Sequence, residues 1–149
     1  MPDPQPRIAA VDYGTRRVGL AVTDPLRLFA RPLGTFPPDE AVAQLVALHA
    51  REGLEAVVVG WPLTEAGEEG KATRRVAPFL GRLRNVLPGV AVVTQDERFT
   101  SRRAAEALVE SGVRKGARRR ARQTGRLDAA AAALILQDYL DEGRMPNGE

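Results

Sequence analysis

Two apolar runs near the start of the chain, Arg7–Tyr13 and Val18–Thr23, are separated by only four residues, GTRR. A connection this short that contains glycine is typical of a β-hairpin, so the two runs are predicted to be paired antiparallel strands. The first run, RIAAVDY, is apolar on both faces, as expected of a central strand that is covered on both sides. Any fold of this chain must therefore surround a buried strand that ends in a carboxylate, Asp12.

After the hairpin, the hydrophobic pattern alternates between helical and strand periods. A run with β character over residues 26–36 contains a proline, which favours an edge strand. The order β-β-β-α-β-α-β-α-α predicts an α/β fold with a five-stranded mixed sheet and helices on both faces. The predicted strands are 7–13, 18–23, 26–36, 55–61 and 90–97, and the predicted helices cover about 37–53, 71–87, 100–110 and 127–140. The apolar stripe of the first helix is expected to comprise Val42, Leu45, Val46 and His49.

The composition, 44% hydrophobic and 28% charged, is that of a soluble globular protein. We expect one domain over residues 1–149, with flexible ends at 1–6 and 142–149 and a basic loop at 114–126. The chain has no cysteine, which excludes disulfides and cysteine-ligated zinc. The longest apolar run, Ala129–Leu136, is too short to cross a bilayer, and the proline-rich start has no signal-peptide core. No membrane partner is therefore expected, and the predicted location is the cytoplasm.

Seven cationic residues and no acid occur between Arg114 and Arg126, although the formal net charge of the chain is only +3. The rest of the chain has more acidic than cationic side chains, so its basic character is concentrated in this segment. Such a run is typical of contact with a polyanion such as nucleic acid; a solvated basic loop in an arginine-rich chain is the alternative. The candidate contacts in the segment are Arg114, Lys115, Arg118, Arg119, Arg120, Arg122 and Arg126.

Four further cations are candidates for nucleic-acid contact. Arg16 and Arg17 occupy the hairpin turn, where they either contact a substrate backbone or only form an exposed turn. Lys71 and Arg74 begin the second predicted helix, where cations and free backbone amides could hold a phosphate.

Three carboxylates stand at positions that favour a functional site. Asp12 ends the first strand and Glu97 follows the fifth, and ligand sites of open α/β sheets lie at the carboxyl ends of parallel strands. Asp128 begins the last helix on the same stripe as Ile135, so it is expected at the rim of the core. Each acid has an ordinary alternative, because Asp12 could close a turn and Glu97 could pair with Arg98. Asp128 could simply complement the helix dipole.

If these acids converge on one edge of the sheet, their charges repel unless a cation lies between them. Hard oxygen ligands favour Mg²⁺ or Mn²⁺, and such ions can activate a water for attack on a phosphodiester. Asp96 is an alternative to Glu97, but neighbouring side chains of a strand point to opposite faces. The sequence therefore predicts a divalent-metal site in which Asp12, Glu97 and Asp128 serve as both catalytic and metal-binding residues.

Four motifs, DYGTRRVGLAVTD, VVVGWPLTEAGEEG, QDERFTSRRAAEAL and GRLDAAAAALILQDYL, resemble the YqgF/RuvX family of bacterial proteins. The resemblance extends from about Arg7 to Leu140 and implies an RNase H-like fold and a divalent-metal endonuclease. The family's three acids fall on Asp12, Glu97 and Asp128. Two roles are implied: trimming the 5′ end of pre-16S rRNA in ribosome biogenesis, and resolving Holliday junctions, a form of branched DNA, in recombination. A homodimer is a further expectation, because symmetrical cleavage of a four-way junction needs two active sites.

This chain departs from the family pattern at two positions near the motifs. Trp61 stands where the family has leucine, and Arg126 stands where a lysine is usual before the last acid. Neither departure touches the three acids.

Two other functions compete with the nuclease. A non-catalytic RNA- or ribosome-binding protein of the same fold would explain the basic segment but not three converging acids, which would repel phosphate without a metal. An actin-like ATP-binding module shares the Asp-x-Gly-Thr hairpin, but it needs a second related domain, for which 149 residues leave no room. Metal-dependent nicking favours the nuclease, and stabilisation by ATP favours the last alternative.

Overall fold

Strand β1 (Arg7–Tyr13) lies at the centre of a five-stranded sheet with the order β3-β2-β1-β4-β5. The computed structural model describes residues 5–14, 16–64, 66–97 and 126–144, and within the last range the side chains of 129–142. β2 pairs antiparallel with β1 and with β3, whereas β4 pairs parallel with β1 and with β5. The predicted hairpin and the mixed five-stranded sheet are confirmed. The other strands are β2 Val18–Thr23, β3 Ala30–Phe36, β4 Leu54–Trp61 and β5 Ala91–Asp96.

Helices cover both faces of this sheet, as the sequence predicts. Helices α1 (Pro38–Glu52) and α2 (Lys71–Val86) pack on the face that contains Ala9 and Val11 of β1. Helix α3 (Arg126–Arg144) packs on the opposite face, which contains Ile8 and Ala10. Because alternate residues of a strand point to opposite faces, the apolar residues Ile8–Val11 of β1 contribute to both cores.

Local sequence signals account for the ends of the first helix. Pro38 occupies the first turn of α1, where its missing N–H leaves no hydrogen bond unmade, and Asp39 and Glu40 complement the helix dipole. The helix ends at Gly53, whose φ of 79° lies in the left-handed region that favours glycine. α1 and β4 are thus joined by a single residue, which directs β4 alongside β1.

The third strand begins later than the sequence predicts. Residues 26–29 form a loop rather than the start of β3, so the predicted strand over 26–36 is wrong in its first four residues. The Asp24 carboxylate causes this, because it accepts backbone N–H bonds from Leu26 (3.1 Å), Leu28 (2.8 Å) and Phe29 (2.7 Å). A side chain that takes up local N–H groups in this way competes with strand pairing. The prediction that this strand lies at an edge is confirmed.

The apolar stripe of α1 is partly different from the predicted one. Val42 and Leu45 are buried as expected, but Val46 is exposed and Leu48 is buried instead. His49 is half-buried, and its Nδ1 accepts a hydrogen bond from the backbone N–H of Leu54 (2.9 Å). The histidine therefore supports the turn between α1 and β4.

Some predictions concern residues that the structure does not describe. The helix expected over 100–110, the basic loop up to residue 125, and the two terminal segments lie outside the described residues, apart from 5, 6 and 142–144. The last predicted helix, over about 127–140, is confirmed and extends to Arg144. Among the helices of the described ranges, none is both long and apolar enough to cross a membrane.

Two adjacent residues of α2 test how this fold is stabilised. Leu83 is fully buried between α2 and the sheet, and Arg82 lies on the exposed side in an ion pair with Asp39 (2.7 Å). We expect Leu83→Ala to lower the free energy of unfolding by about 2–5 kcal/mol, because it removes buried methyl groups and leaves a cavity. Arg82→Ala should lower it by about 0.5 kcal/mol or less, because exposed ion pairs contribute little. Urea unfolding followed by circular dichroism measures both, and equal losses would contradict the assigned packing of α2.

Candidate active site

The carboxyl ends of the parallel strands β1, β4 and β5 meet at one edge of the sheet. Val11 is in register with Val59, so Asp12 and Gly60 are the next residues along β1 and β4. Gly60 is in turn in register with Gln95 of β5, two residues before Glu97. The sequence places an acid at the ends of β1 and β5, and the topology puts these two ends on either side of the end of β4.

Both acids lie on the face of the sheet that α3 covers. Asp12 follows Ile8 and Ala10 at intervals of two residues, and both of these belong to the core beneath α3. Glu97 comes directly after β5, and its backbone N–H donates to the Trp61 carbonyl (3.2 Å), which fixes the chain as it leaves the strand. The Glu97 carboxyl group then lies over Gly60, towards Asp12.

The two carboxyl groups are hydrogen-bonded to each other. Burial, the negative charge of Asp12, the hydrogen bond between the two groups and the nearby charge of Asp96 together raise the pKa of Glu97 to about 9. Near neutral pH, without a bound cation, Glu97 is therefore protonated and donates its O–H to the Asp12 carboxylate. When Glu97 loses this proton, the two carboxylates repel each other. A cation between them can relieve this repulsion in place of the proton.

Asp96 does not take the place of Glu97. Its side chain is exposed, whereas Glu97 is half-buried against Gly60 and Asp12. The alternation of side chains along β5 separates the two acids, as expected from the sequence. Of the two candidates, Glu97 is thus the one that forms the pair.

The third acid is described only by its backbone. Residue 128 lies in the first turn of α3, two turns before Ile135, whose side chain packs against Gly60 beside Glu97. The predicted inward stripe of this helix is correct where it is described, because Ala131, Ala132 and Ile135 are buried. The side chain of Asp128 lies outside the described residues, so its place in the site stays a prediction. Within the described side chains, no group of three His, Cys, Asp or Glu could hold a metal ion.

Four of the predicted nucleic-acid contacts lie at the same edge as the acid pair. Arg16 and Arg17 are exposed in the turn that connects β1 to β2, directly after Asp12 and Tyr13. Lys71 and Arg74 are exposed in the first turn of α2, which follows the carboxyl end of β4. The basic segment lies outside the described residues except for the backbone of Arg126, which begins α3.

Gly60 belongs to the site although sequence reasoning did not select it. The available signal was a glycine in the otherwise apolar strand LEAVVVGW, since glycine inside a strand often marks a close approach by another group. The Trp61 carbonyl could not have been predicted, because it acts through its backbone and depends on the loop after β5.

The sequence was compared with known proteins. Residues 6–142 match the family described as RuvX: Holliday junction resolvase. A protein of Salinibacter ruber is 50% identical over 91% of this chain and 92% of its own length, and one of Chlorobaculum tepidum is 46% identical over 91% and 93%. Both relatives carry the name "Putative pre-16S rRNA nuclease".

The fold was also compared with solved structures. The RuvC chain of Thermus thermophilus, solved in complex with a Holliday junction substrate, aligns with a TM-score of 0.52 and 22% identity. The alignment covers 93% of this chain and 97% of that one. The fold is therefore the RNase H-like α/β fold that the resemblance implied.

The acid pair makes stability depend on pH in a direction that can be tested without a substrate. The pKa of Glu97 is about 9 in the folded protein against an ordinary 4.5, so the folded state binds more protons between these values. The stabilising contribution is fully present below about 4.5 and is lost as pH rises towards 9. We expect the free energy of unfolding of the metal-free protein to fall over this range, and Glu97→Gln to flatten that part of the profile. Urea titrations at several pH values in EDTA check this, and a Glu97→Gln profile as steep as that of the wild type would contradict it.

Proposed function

The chain belongs to the RuvX family, and from that premise we propose that it is a divalent-metal-dependent endonuclease that hydrolyses phosphodiesters of structured nucleic acid. The observation that carries this proposal is the contact between Asp12 and Glu97 at the carboxyl edge of the sheet. Two adjacent acids are unfavourable for a protein that only binds nucleic acid, because they repel phosphate. They are useful to a protein that holds a cation next to a phosphodiester.

The residues of the pair fit a hard divalent cation. Asp12 of β1 and Glu97 after β5 offer carboxylate oxygens from either side of β4, and carboxylate oxygens are the ligands that Mg²⁺ and Mn²⁺ prefer. We propose Asp128 as the third ligand, on the strength of the sequence pattern and its place in the first turn of α3. When bound, such an ion activates a water for in-line attack and stabilises charge on the leaving oxygen. Asp12 and Glu97 would serve as catalytic residues by holding the ion, and Glu97 must first lose its proton.

The exposed cations at this edge would hold the nucleic-acid backbone. Lys71 and Arg74 at the start of α2, with Arg16 and Arg17 in the β1–β2 turn, are exposed and suited to phosphate contact at this edge. The basic segment would add contacts from Arg114, Lys115, Arg118, Arg119, Arg120, Arg122 and Arg126. None of these residue types at these positions implies base reading, so we propose binding that depends on backbone and shape.

We propose two candidate substrates. The names of the relatives favour a pre-16S rRNA, and the family description favours a four-way DNA junction. A homodimer would be required for symmetrical cleavage of a junction but not for trimming an RNA end. A location in the cytoplasm stays a prediction from the sequence.

Asp12→Asn tests the catalytic role of the pair. We expect it to reduce cleavage in Mn²⁺ at least about 1,000-fold, because the remaining ligands hold the ion poorly, while binding to nucleic acid persists. The matched control is Asp96→Asn, the same chemical change at the exposed acid beside Glu97, which should retain activity within a few-fold. Each variant is incubated with a labelled four-way DNA junction and a labelled pre-16S rRNA, with and without EDTA.

The same gels decide the substrate. Cleavage of one of the two nucleic acids by the wild type and not by Asp12→Asn identifies it. Wild-type rates from Asp12→Asn would exclude the proposed site, and binding without cleavage of either substrate by the wild type would favour the non-catalytic RNA-binding protein.

The proposed phosphate contacts can be counted from the salt dependence of binding. For duplex DNA, the binding constant K falls as salt rises, and each phosphate contact adds about 0.9 to the magnitude of the slope of log K against log salt concentration. We expect the double variant Lys71→Ala/Arg74→Ala to lower this slope by up to about 1.8. Arg51→Ala is the control, because Arg51 is exposed at the end of α1, on the opposite edge of the sheet. Binding is measured by fluorescence anisotropy, and all variants carry Asp12→Asn so that the substrate is not cleaved. Equal slopes in all proteins would mean that the nucleic acid does not contact Lys71 and Arg74.

A further inference from the structure

Gly60 is a buried residue near the carboxyl end of β4, and its backbone conformation does not require glycine. The described glycines with positive φ are Gly34, Gly53, Gly67 and Gly89, and Gly60 is not among them. Glycine in the interior of a strand weakens it relative to residues with side chains. A reason other than backbone conformation must therefore account for glycine at this position.

The reason is the space above the Gly60 backbone. A Cβ atom at this position would lie 2.7 Å from Cδ of Glu97, 2.8 Å from its Oε2 and 2.7 Å from Cδ1 of Ile135. Favourable contacts between heavy atoms of this kind are near 3.5–4.0 Å, so a methyl group cannot fit unless these groups move. By contrast, a Cβ at Gly81 of α2 would meet nothing within 4 Å.

We propose that Gly60 is a positioning residue for the acid pair: the space left by its missing side chain is where the Glu97 carboxyl group lies in order to reach Asp12. A methyl group at residue 60 would move that carboxyl group away from Asp12 and so separate two ligands of one cation. This inference rests on the proposed metal-dependent nuclease and adds a residue that touches neither metal nor substrate.

The atoms that a methyl group would displace are the ends of flexible side chains. Glu97 and Ile135 can each turn away by changing rotamer, whereas no backbone atom is among the three nearest contacts. The fold should therefore tolerate Gly60→Ala, and the effect should fall on the position of the carboxyl group. A change in the packing of Ile135 should alter the thermal midpoint, whereas a change in the position of the Glu97 carboxyl group should alter cleavage and Mn²⁺ binding.

The first experiment compares Gly60→Ala with Gly81→Ala. We expect Gly60→Ala to lower the rate of Mn²⁺-dependent cleavage about 100-fold, since displacement of a reacting group by about 1 Å has effects of this size. Binding of Mn²⁺ without nucleic acid, followed by electron paramagnetic resonance, should weaken about 10–100-fold. Gly81→Ala should leave both quantities at their wild-type values, because a methyl group fits there.

The second experiment separates the carboxyl group from the packing of α3. Gly60→Ala/Ile135→Val lacks the displaced δ-methyl group, so it should regain the wild-type thermal midpoint while cleavage and Mn²⁺ binding remain impaired. This variant also keeps the test valid if Gly60→Ala alone fails to fold. A folded double variant with wild-type cleavage would mean that Gly60 serves only the packing of α3, and would overturn the inference.

A third comparison uses the shorter acid. In a Glu97→Asp background the carboxyl group is shorter by one methylene and no longer reaches the space over Gly60. Gly60→Ala should then weaken Mn²⁺ binding by less than about a third of the factor seen in the wild-type background. Equal losses in both backgrounds would overturn the inference while the proposed nuclease stands. If the wild type neither binds Mn²⁺ nor cleaves either substrate, the proposed function fails and the inference fails with it.

Discussion

The rest of the structure holds the Asp12 and Glu97 carboxyl groups together, although their contact is unfavourable when both groups are charged. Burial is the largest cause that raises the pKa of Glu97, and the negative charge of Asp12 raises it further. β1 and β4, which carry Asp12 and Gly60, are held by apolar contacts on both faces. This packing fixes the strand ends, and the Glu97 carboxyl group reaches Asp12 across Gly60, where a shared proton or a cation relieves the repulsion.

At the opposite edge of the sheet, acidic side chains lie beside arginines or backbone N–H groups rather than beside other acids. There Arg7 lies 3.5 Å from Glu52, and Arg27 lies 2.6 Å from Glu55. The Asp24 carboxylate accepts backbone N–H bonds, and the one from Phe29 is the largest cause that lowers its pKa. The Asp24 carboxylate is thus stabilised in its charged form, whereas Glu97 is stabilised in its neutral form. Within the described residues, the carboxyl group whose pKa is raised thus lies at the edge of the proposed site, and the one whose pKa is lowered lies at the opposite edge.

Much of this architecture follows from the sequence because it depends on periodicity. The apolar centre of β1 and the four-residue link to β2 predict the hairpin, and the later alternation of helix and strand periods predicts the mixed sheet. The start of β3 could not be predicted, because β-propensity over 26–29 is overridden by one carboxylate, Asp24, that takes up three N–H groups. The predicted burial of Val46 is wrong for a related reason. An apolar residue at the margin of a helix stripe is buried only if another element packs over it.

The acid pair was predictable by topology, whereas its support was not. Parallel strands bring their carboxyl ends together, so Asp12 and Glu97 could be associated from the sequence alone. Their hydrogen bond depends on Gly60, whose role appears only when a missing side chain is compared with its surroundings. It also depends on the Trp61 carbonyl, which any residue at that position would supply. This explains why tryptophan can replace the family's leucine there without loss of the contact.

Proton release and cation binding are one event at such a site. Because Glu97 holds its proton up to a pH of about 9, a divalent ion that uses its carboxylate must displace that proton. The affinity for the proposed ion would therefore rise with pH over the range in which the metal-free fold loses stability. A ligand that binds only the folded state adds stability in proportion to its saturation, so the ion compensates where the proton is lost. In the proposed nuclease, the repulsion between Asp12 and Glu97 thus couples the folded state to the cation that its chemistry needs.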